Sequence, residues 1–173
     1  MPLTFSFGFL EIIFLLVGSF LMFVSSWVIT QALFPKFVRA AQESYANPGR
    51  IFLIGLGGHV ALGLICRLLL EAGTFGRWLS LAILVSGMAV SLAGSAGLAR
   101  KIGTGMIHPS DKEQPWRRTL RGGTTLGLTL LVPFINLLPL AFILMTGFGS
   151  AVISMNRMLT EHKAASRDSG SDD

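Results

Sequence analysis

The run from Gly122 to Ser154, GGTTLGLTLLVPFINLLPLAFILMTGFGSAVIS, holds no charged residue. Arg117, Arg118 and Arg121 precede it, and Arg157 follows it. An uncharged apolar run longer than about 18 residues reads as membrane-spanning. At about 1.5 Å per residue, a straight helix of this run would be roughly 48 Å long, against a hydrocarbon core of about 30 Å. One simple straight span is therefore excluded. Pro133 and Pro139 bracket Phe134-Ile135-Asn136-Leu137-Leu138 near the middle. Proline removes a backbone donor and crowds the preceding turn, so the helix break is expected at Pro133, Asn136 and Pro139. Two readings fit: a kinked, tilted helix over about 120–156, or a hairpin of two short helices bending near Asn136. Asn136 suits the backbone groups that the prolines free, or a polar contact to a partner helix or ligand.

Charge supports the same class. Only 13% of the 173 residues are charged and 51% are hydrophobic, whereas soluble domains carry about a quarter charged residues. The expectation is an all-α, polytopic integral membrane protein with about four transmembrane helices. The net charge of +5 then reports topology and contact with anionic lipid. No basic stripe with interleaved aromatics suggests nucleic acid as a partner. Cys66 is the single cysteine, which excludes an intramolecular disulfide and a cysteine-cluster metal site.

Along the chain, residues 3–34 form the first apolar run. It has no basic leader and no small-residue cleavage site, and it reads as an uncleaved helix over about 8–33. Glu11 near its start is either an interfacial carboxylate or a buried proton or cation ligand. Phe37, Ala41 and Tyr45 recur at four-residue spacing, predicting an amphipathic helix over about 36–46 at the membrane surface. Asn47-Pro48-Gly49 ends it. The next spans are predicted over about 51–71 and 78–99, joined by a tight turn at Ala72–Gly76. Arg67 and Glu71 stand four apart and could pair. Gly87, Ser91, Gly94 and Gly97 make a small-residue face suited to close helix packing in lipid. A polar loop is predicted over 100–119 and a disordered polar tail over 157–173, leaving a single transmembrane domain over 1–156. Trp27, Trp78 and Trp116 fall near helix ends, as interfacial anchors do.

Lysine and arginine set the expected orientation. None precedes Lys36, and most lie within 35–50 and 100–121. Both segments are thus expected in the cytoplasm and the N-terminus outside. A basic tail also prefers the cytoplasm, which favours the hairpin for 122–154.

Pro48-x-Arg50-x4-Gly55 and Pro115-x-Arg117-x4-Gly122 share one internal spacing. Gly73-Thr74-Phe75-Gly76 has a rough counterpart in Thr146-Gly147-Phe148-Gly149. Together they suggest a duplicated apolar hairpin. The two openings, with Leu33-Phe34-Pro35, Ala40-Ala41, Gly103, Pro133 and Gly147-Phe148-Gly149-Ser150, carry a resemblance over most of residues 33–153. The chain resembles the apolar membrane domain of bacterial polymer-forming (bactofilin-like) membrane proteins, without a β-helical polymerising part. The resemblance implies a membrane-embedded scaffold and no catalytic residue.

His59 is the polar residue of most interest. It lies roughly 13 Å into the second span, with Gly55 and Gly63 at i−4 and i+4 on its own face. A neutral imidazole beside glycines can ligate a flat tetrapyrrole, haem or chlorophyll-type. It can also serve a proton relay or simply hydrogen-bond within the bundle. No metal-ligand spacing, nucleophile–base set or nucleotide fingerprint occurs, so no catalytic or metal site is expected. The leading expectation is a non-enzymatic scaffold or accessory subunit that packs on partner helices, in other membrane subunits or in a homo-oligomer. The alternatives are a tetrapyrrole-binding subunit using His59, and a small oligomeric channel or transporter lined by Glu11, His59 or Asn136.

Overall fold

The structure is a computed structural model that describes residues 8–106, 114–131 and 137–168. It forms α1 (Phe9–Leu33), α2 (Pro35–Ser44), α3 (Pro48–Leu70), α4 (Gly73–Gly105), α5 (Pro115–Leu130) and α6 (Leu137–Asp168). Proline opens α2, α3 and α5 at the first helical position, where its missing N–H costs no helical hydrogen bond. Gly73 has φ of +78° and turns the chain between α3 and α4, a conformation in which a side chain would be strained. α1, α3, α4 and α6 are each long and apolar enough to cross a membrane. The protein is an all-helical, multi-pass membrane protein.

α4 is the central helix and packs against each of the other five. Matched contacts set their directions. Trp27 meets Ser95 and Gln31 meets Arg100, so α1 runs parallel to α4. Along α5, Thr119 meets Gln31, Gly123 meets Trp27 and Gly127 meets Phe20, so α5 runs the other way. α6 runs parallel to α4: Gly147 packs on Ser91, and Arg157 reaches Glu43 of α2 beyond the α4–α6 crossing. α5 and α6 are therefore antiparallel, which is the hairpin arrangement.

A single helix over 120–156 is thereby corrected. The first arm starts earlier, at Pro115, and the membrane-length arm is α6. Pro139 lies in the first turn of α6, where it breaks no helical bond. Pro133 and Asn136 lie outside the described residues. The span expected over 78–99 runs from Gly73 to Gly105, shortening the loop expected over 100–119. The tail expected over 157–173 is helical as far as Asp168. Arg157 explains part of that, bridging Glu43 of α2 and Glu161 one turn ahead. Arg67 and Glu71 do not pair.

α2 is amphipathic as expected, but its apolar face turns inward. Val38 and Ala41 are fully buried, and α2 packs across α4 and α6. Trp27 is likewise a core residue and no interfacial anchor. It is fully buried among Val24, Val38, Ala96 and Ala99, and its indole N–H donates to the Ser95 hydroxyl at 2.8 Å. Trp78 and Trp116 remain exposed.

The two hairpins differ in reach. Gly94 of α4 lies beside Gly147 of α6, yet α4 begins much further ahead of that crossing than α6 does. At about 1.5 Å per residue, α4 projects roughly 16 Å beyond the start of α6. Leu140, near that start, shares a cleft of about 130 Å³ with Leu15, Leu16 and Ser19 of α1 and with Leu130 and Leu131 of α5.

Candidate functional site

The small residues expected to form a packing face on α4 are Gly87, Ser91, Gly94 and Gly97. Gly94 lies against the α6 backbone at Gly147 and Ala151. Gly97 lies against Ala41 of α2, and Gly87 against Leu62 of α3. Ser91 is fully buried, its hydroxyl donating to the Gly87 carbonyl at 2.9 Å. All four are therefore used within the chain. The same holds for the two repeated openings. Gly55 meets α6 at Met145 and Gly149, and Gly122 meets α4 at Ala99 and Gly103. The other half of the proposed repeat fails. Gly73–Gly76 starts a helix after a turn, whereas Thr146–Gly149 lies in mid-helix.

His59 sits on α3, partly buried. Its Nδ1 lies 2.9 Å from the Gly55 carbonyl, and its ring meets Phe148 edge-on at 5.2 Å. A hydrogen bond to that carbonyl makes Nδ1 the donor and leaves Nε2 the acceptor, the form that can ligate a metal. The expected slot for a flat ring is half closed. The space over Gly55 is taken by the α6 backbone, and Phe148 covers Gly58, while Gly63 faces open space.

Glu11 has a local role. Its carboxylate accepts the Gly8 N–H at 3.1 Å and so caps α1. Beyond it, α1 is bare around much of its circumference. Ile12, Ile13, Leu15 and Val17 are exposed, Phe14 is 83% exposed, and Gly18 has open space beside it. Among the described residues, α5 and α6 leave this part of α1 uncovered.

The polar cluster at the other end was missed at the sequence level. Gln31 is 3% exposed and Arg100 7%. The Gln31 carbonyl accepts from Arg100 Nη1 at 3.1 Å and from the fully buried Thr119 hydroxyl at 3.3 Å. One amide thus joins α1, α4 and α5. The available signal was spacing: Phe20, Val24, Trp27 and Gln31 step by four, three and four, one helix face. A second buried cluster joins α2 to α6. Ser150 donates to the Ala41 carbonyl at 3.3 Å, and Ser44 to the Ser150 hydroxyl at 3.0 Å. The Tyr45 hydroxyl is buried near Thr146 and Ser150 without a hydrogen bond of good geometry to either. Burial pushes its pKa up from 10.0 to about 12, those two hydroxyls opposing the rise. Among the described residues no group of three His, Cys, Asp or Glu is placed to hold a metal.

No family model, curated protein or solved structure matches this chain. The likeness to bactofilin-like membrane domains rests on the sequence motifs alone.

Proposed function

We propose that the protein is a non-enzymatic scaffold or accessory subunit of a bacterial inner membrane, docking a partner's transmembrane helix along the bare part of α1. The observation that carries this reading is the exposure of Ile13, Phe14, Val17 and Gly18, which form a shallow apolar groove closed by none of the described helices. Gly18 would let a partner backbone approach closely. The small residues of α4 are covered by the chain itself and offer a partner no surface.

The orientation belongs to the same proposal, with the N-terminus outside and the α2 end cytoplasmic. Its support is the gathering of Lys36, Arg39, Arg50, Arg100, Lys101 and Arg117 at one end of the bundle. A photo-crosslinking residue at Phe14 tests the docking surface in native membranes. A discrete protein adduct from Phe14, absent from the exposed Leu53 position on α3, is expected. Lipid adducts alone, or the same adducts from both positions, would overturn it.

The tetrapyrrole reading keeps one favourable observation, the acceptor Nε2 of His59 beside the open side of Gly63. Visible absorption of the protein from its own membrane, lost in His59→Leu, would support it. A path lined by Glu11, His59 and Asn136 gains no support, since Glu11 is engaged as a helix cap.

A further inference from the structure

Arg100 raises a question that the scaffold reading leaves unanswered. Its side chain is buried, its hydrogen-bonded partner Gln31 is neutral, and its Nε is buried with no partner among the described residues. Arg39 and Arg118 add like charge nearby. Burying a cation costs several kcal/mol unless an anion or dense hydrogen bonding compensates. Among the described residues the nearby carboxylates, Glu43 and Glu161 of the same end, are both engaged by Arg157, with which they line one cleft.

Arg100 lines a cleft of about 780 Å³ between α1, α2, α4 and α6. Lys36 and Arg39 stand at its rim, and neither forms an ion pair among the described residues. The guanidinium edge formed by Nε and a terminal nitrogen suits two-pronged contact with a phosphate or carboxylate. Leu33 and Phe34, exposed at the end of α1, place hydrocarbon beside Pro35 at the cleft. The cleft is thus at the boundary between apolar span and basic end, the depth of phospholipid headgroups.

We propose that this cleft binds a phosphate-bearing anion, seated on Arg100 and held by Lys36 and Arg39, with an anionic phospholipid headgroup as its source. The site is independent of the α1 docking surface. Bound there, the phosphate supplies the counter-charge that Arg100 lacks among the described residues, and the lipid's acyl chains run along Leu33 and Phe34.

The test is native mass spectrometry of the full chain in mild detergent, titrated with phosphatidylglycerol, with phosphatidylcholine, and with inorganic phosphate alone. Lys36→Ala/Arg39→Ala changes the rim and leaves the Gln31–Arg100–Thr119 contacts in place. Arg50→Ala/Arg117→Ala removes equal charge outside the cleft and is the control. Phosphatidylglycerol should bind about ten-fold more tightly than phosphatidylcholine, a difference of about 1.4 kcal/mol. The rim variant should lose that preference, and the control should keep it. Phosphate binding that is lost only in the rim variant, with no lipid preference, would keep the site and overturn its lipid source. Equal loss in both variants would show diffuse attraction and overturn the site, as would a wild-type protein that prefers neither anion.

Discussion

Gly94 of α4 and Gly147 of α6 lie in backbone contact: a Cβ on Gly94 would meet the Gly147 carbonyl, and one on Gly147 would meet the Ser91 carbonyl. The two central helices therefore approach as closely as helices can, and dispersion between their backbones holds them in lipid. Gly94→Leu should force them apart and lower stability by at least about 2 kcal/mol. SDS-induced unfolding in mixed micelles would measure it. Loss of a partner subunit with unchanged stability would contradict the intramolecular assignment.

On α3, two glycines one turn either side of His59 should respond in opposite ways. Gly55→Ala pushes a methyl into the α6 backbone, whereas Gly63→Ala fills open space. The first should destabilise. The second should stabilise by about 0.5–1 kcal/mol, since alanine orders a helix at less entropic cost than glycine. Melting temperatures of the two purified variants give the comparison. Equal effects would mean that α3 and α6 are further apart than described.

Gln31 should be the most sensitive polar residue. Gln31→Leu leaves both Arg100 and the Thr119 hydroxyl without their acceptor, at a cost of about 2–3 kcal/mol. Gln31→Glu keeps an acceptor and adds a counter-charge to Arg100. It should fold as well as the wild type in detergent and bind phosphatidylglycerol less tightly. Matched unfolding and lipid-binding curves would separate the two effects, and unimpaired lipid binding by Gln31→Glu would count against Arg100 as the seat.

Tyr45 gives a pH signature. Its hydroxyl has a pKa of about 12 in the folded protein, against 10.0 for an exposed tyrosine. The neutral form is therefore favoured by folding. Stability is unaffected by this group below pH 10 and falls between pH 10 and 12, where only the unfolded chain ionises it. The loss should be on the order of 2–3 kcal/mol, from about 1.4 kcal/mol per pH unit. Tyr45→Phe should remove that part of the alkaline decline. It should cost little at neutral pH, because the hydroxyl makes no well-formed hydrogen bond. Unfolding curves at about pH 8 and about pH 11.5 for both proteins test the sign.

Much of the architecture was legible from hydropathy and punctuation. Asn47-Pro48-Gly49 separates α2 from α3 as expected, and the prolines at 35, 48 and 115 each open a helix a little ahead of its expected start. The uncharged length of 122–154 required a bend, and α5 and α6 supply two arms. What could not be read was which surface each helix presents to which neighbour. Gly94 and Gly97 look the same whether they meet a partner chain or α6 and α2, since small residues fit any backbone. Arg100 fell in the loop expected over 100–119 because the apolar run ends at Ala99, while α4 continues through it to Gly105. Trp27 looked like an anchor for a related reason: nearness to a helix end does not say whether α2 folds over it.

α5 has a consequence for how the protein enters its membrane. Among the described helices, α5 is too short and too polar to count with the membrane-length ones, carrying Arg117, Arg118, Arg121 and four threonines. It has little tendency to partition into lipid by itself. Its seat is a groove already formed by α1 and α4, where Gly103, Gly122, Gly123 and Gly127 allow it to nest. Biogenesis should therefore be ordered: α1 to α4 integrate first, and α5 is drawn into the groove they form. A chain ending before Leu137 should keep α5 shielded from protease in that groove, whereas one that also lacks α1 should leave it accessible at the membrane surface.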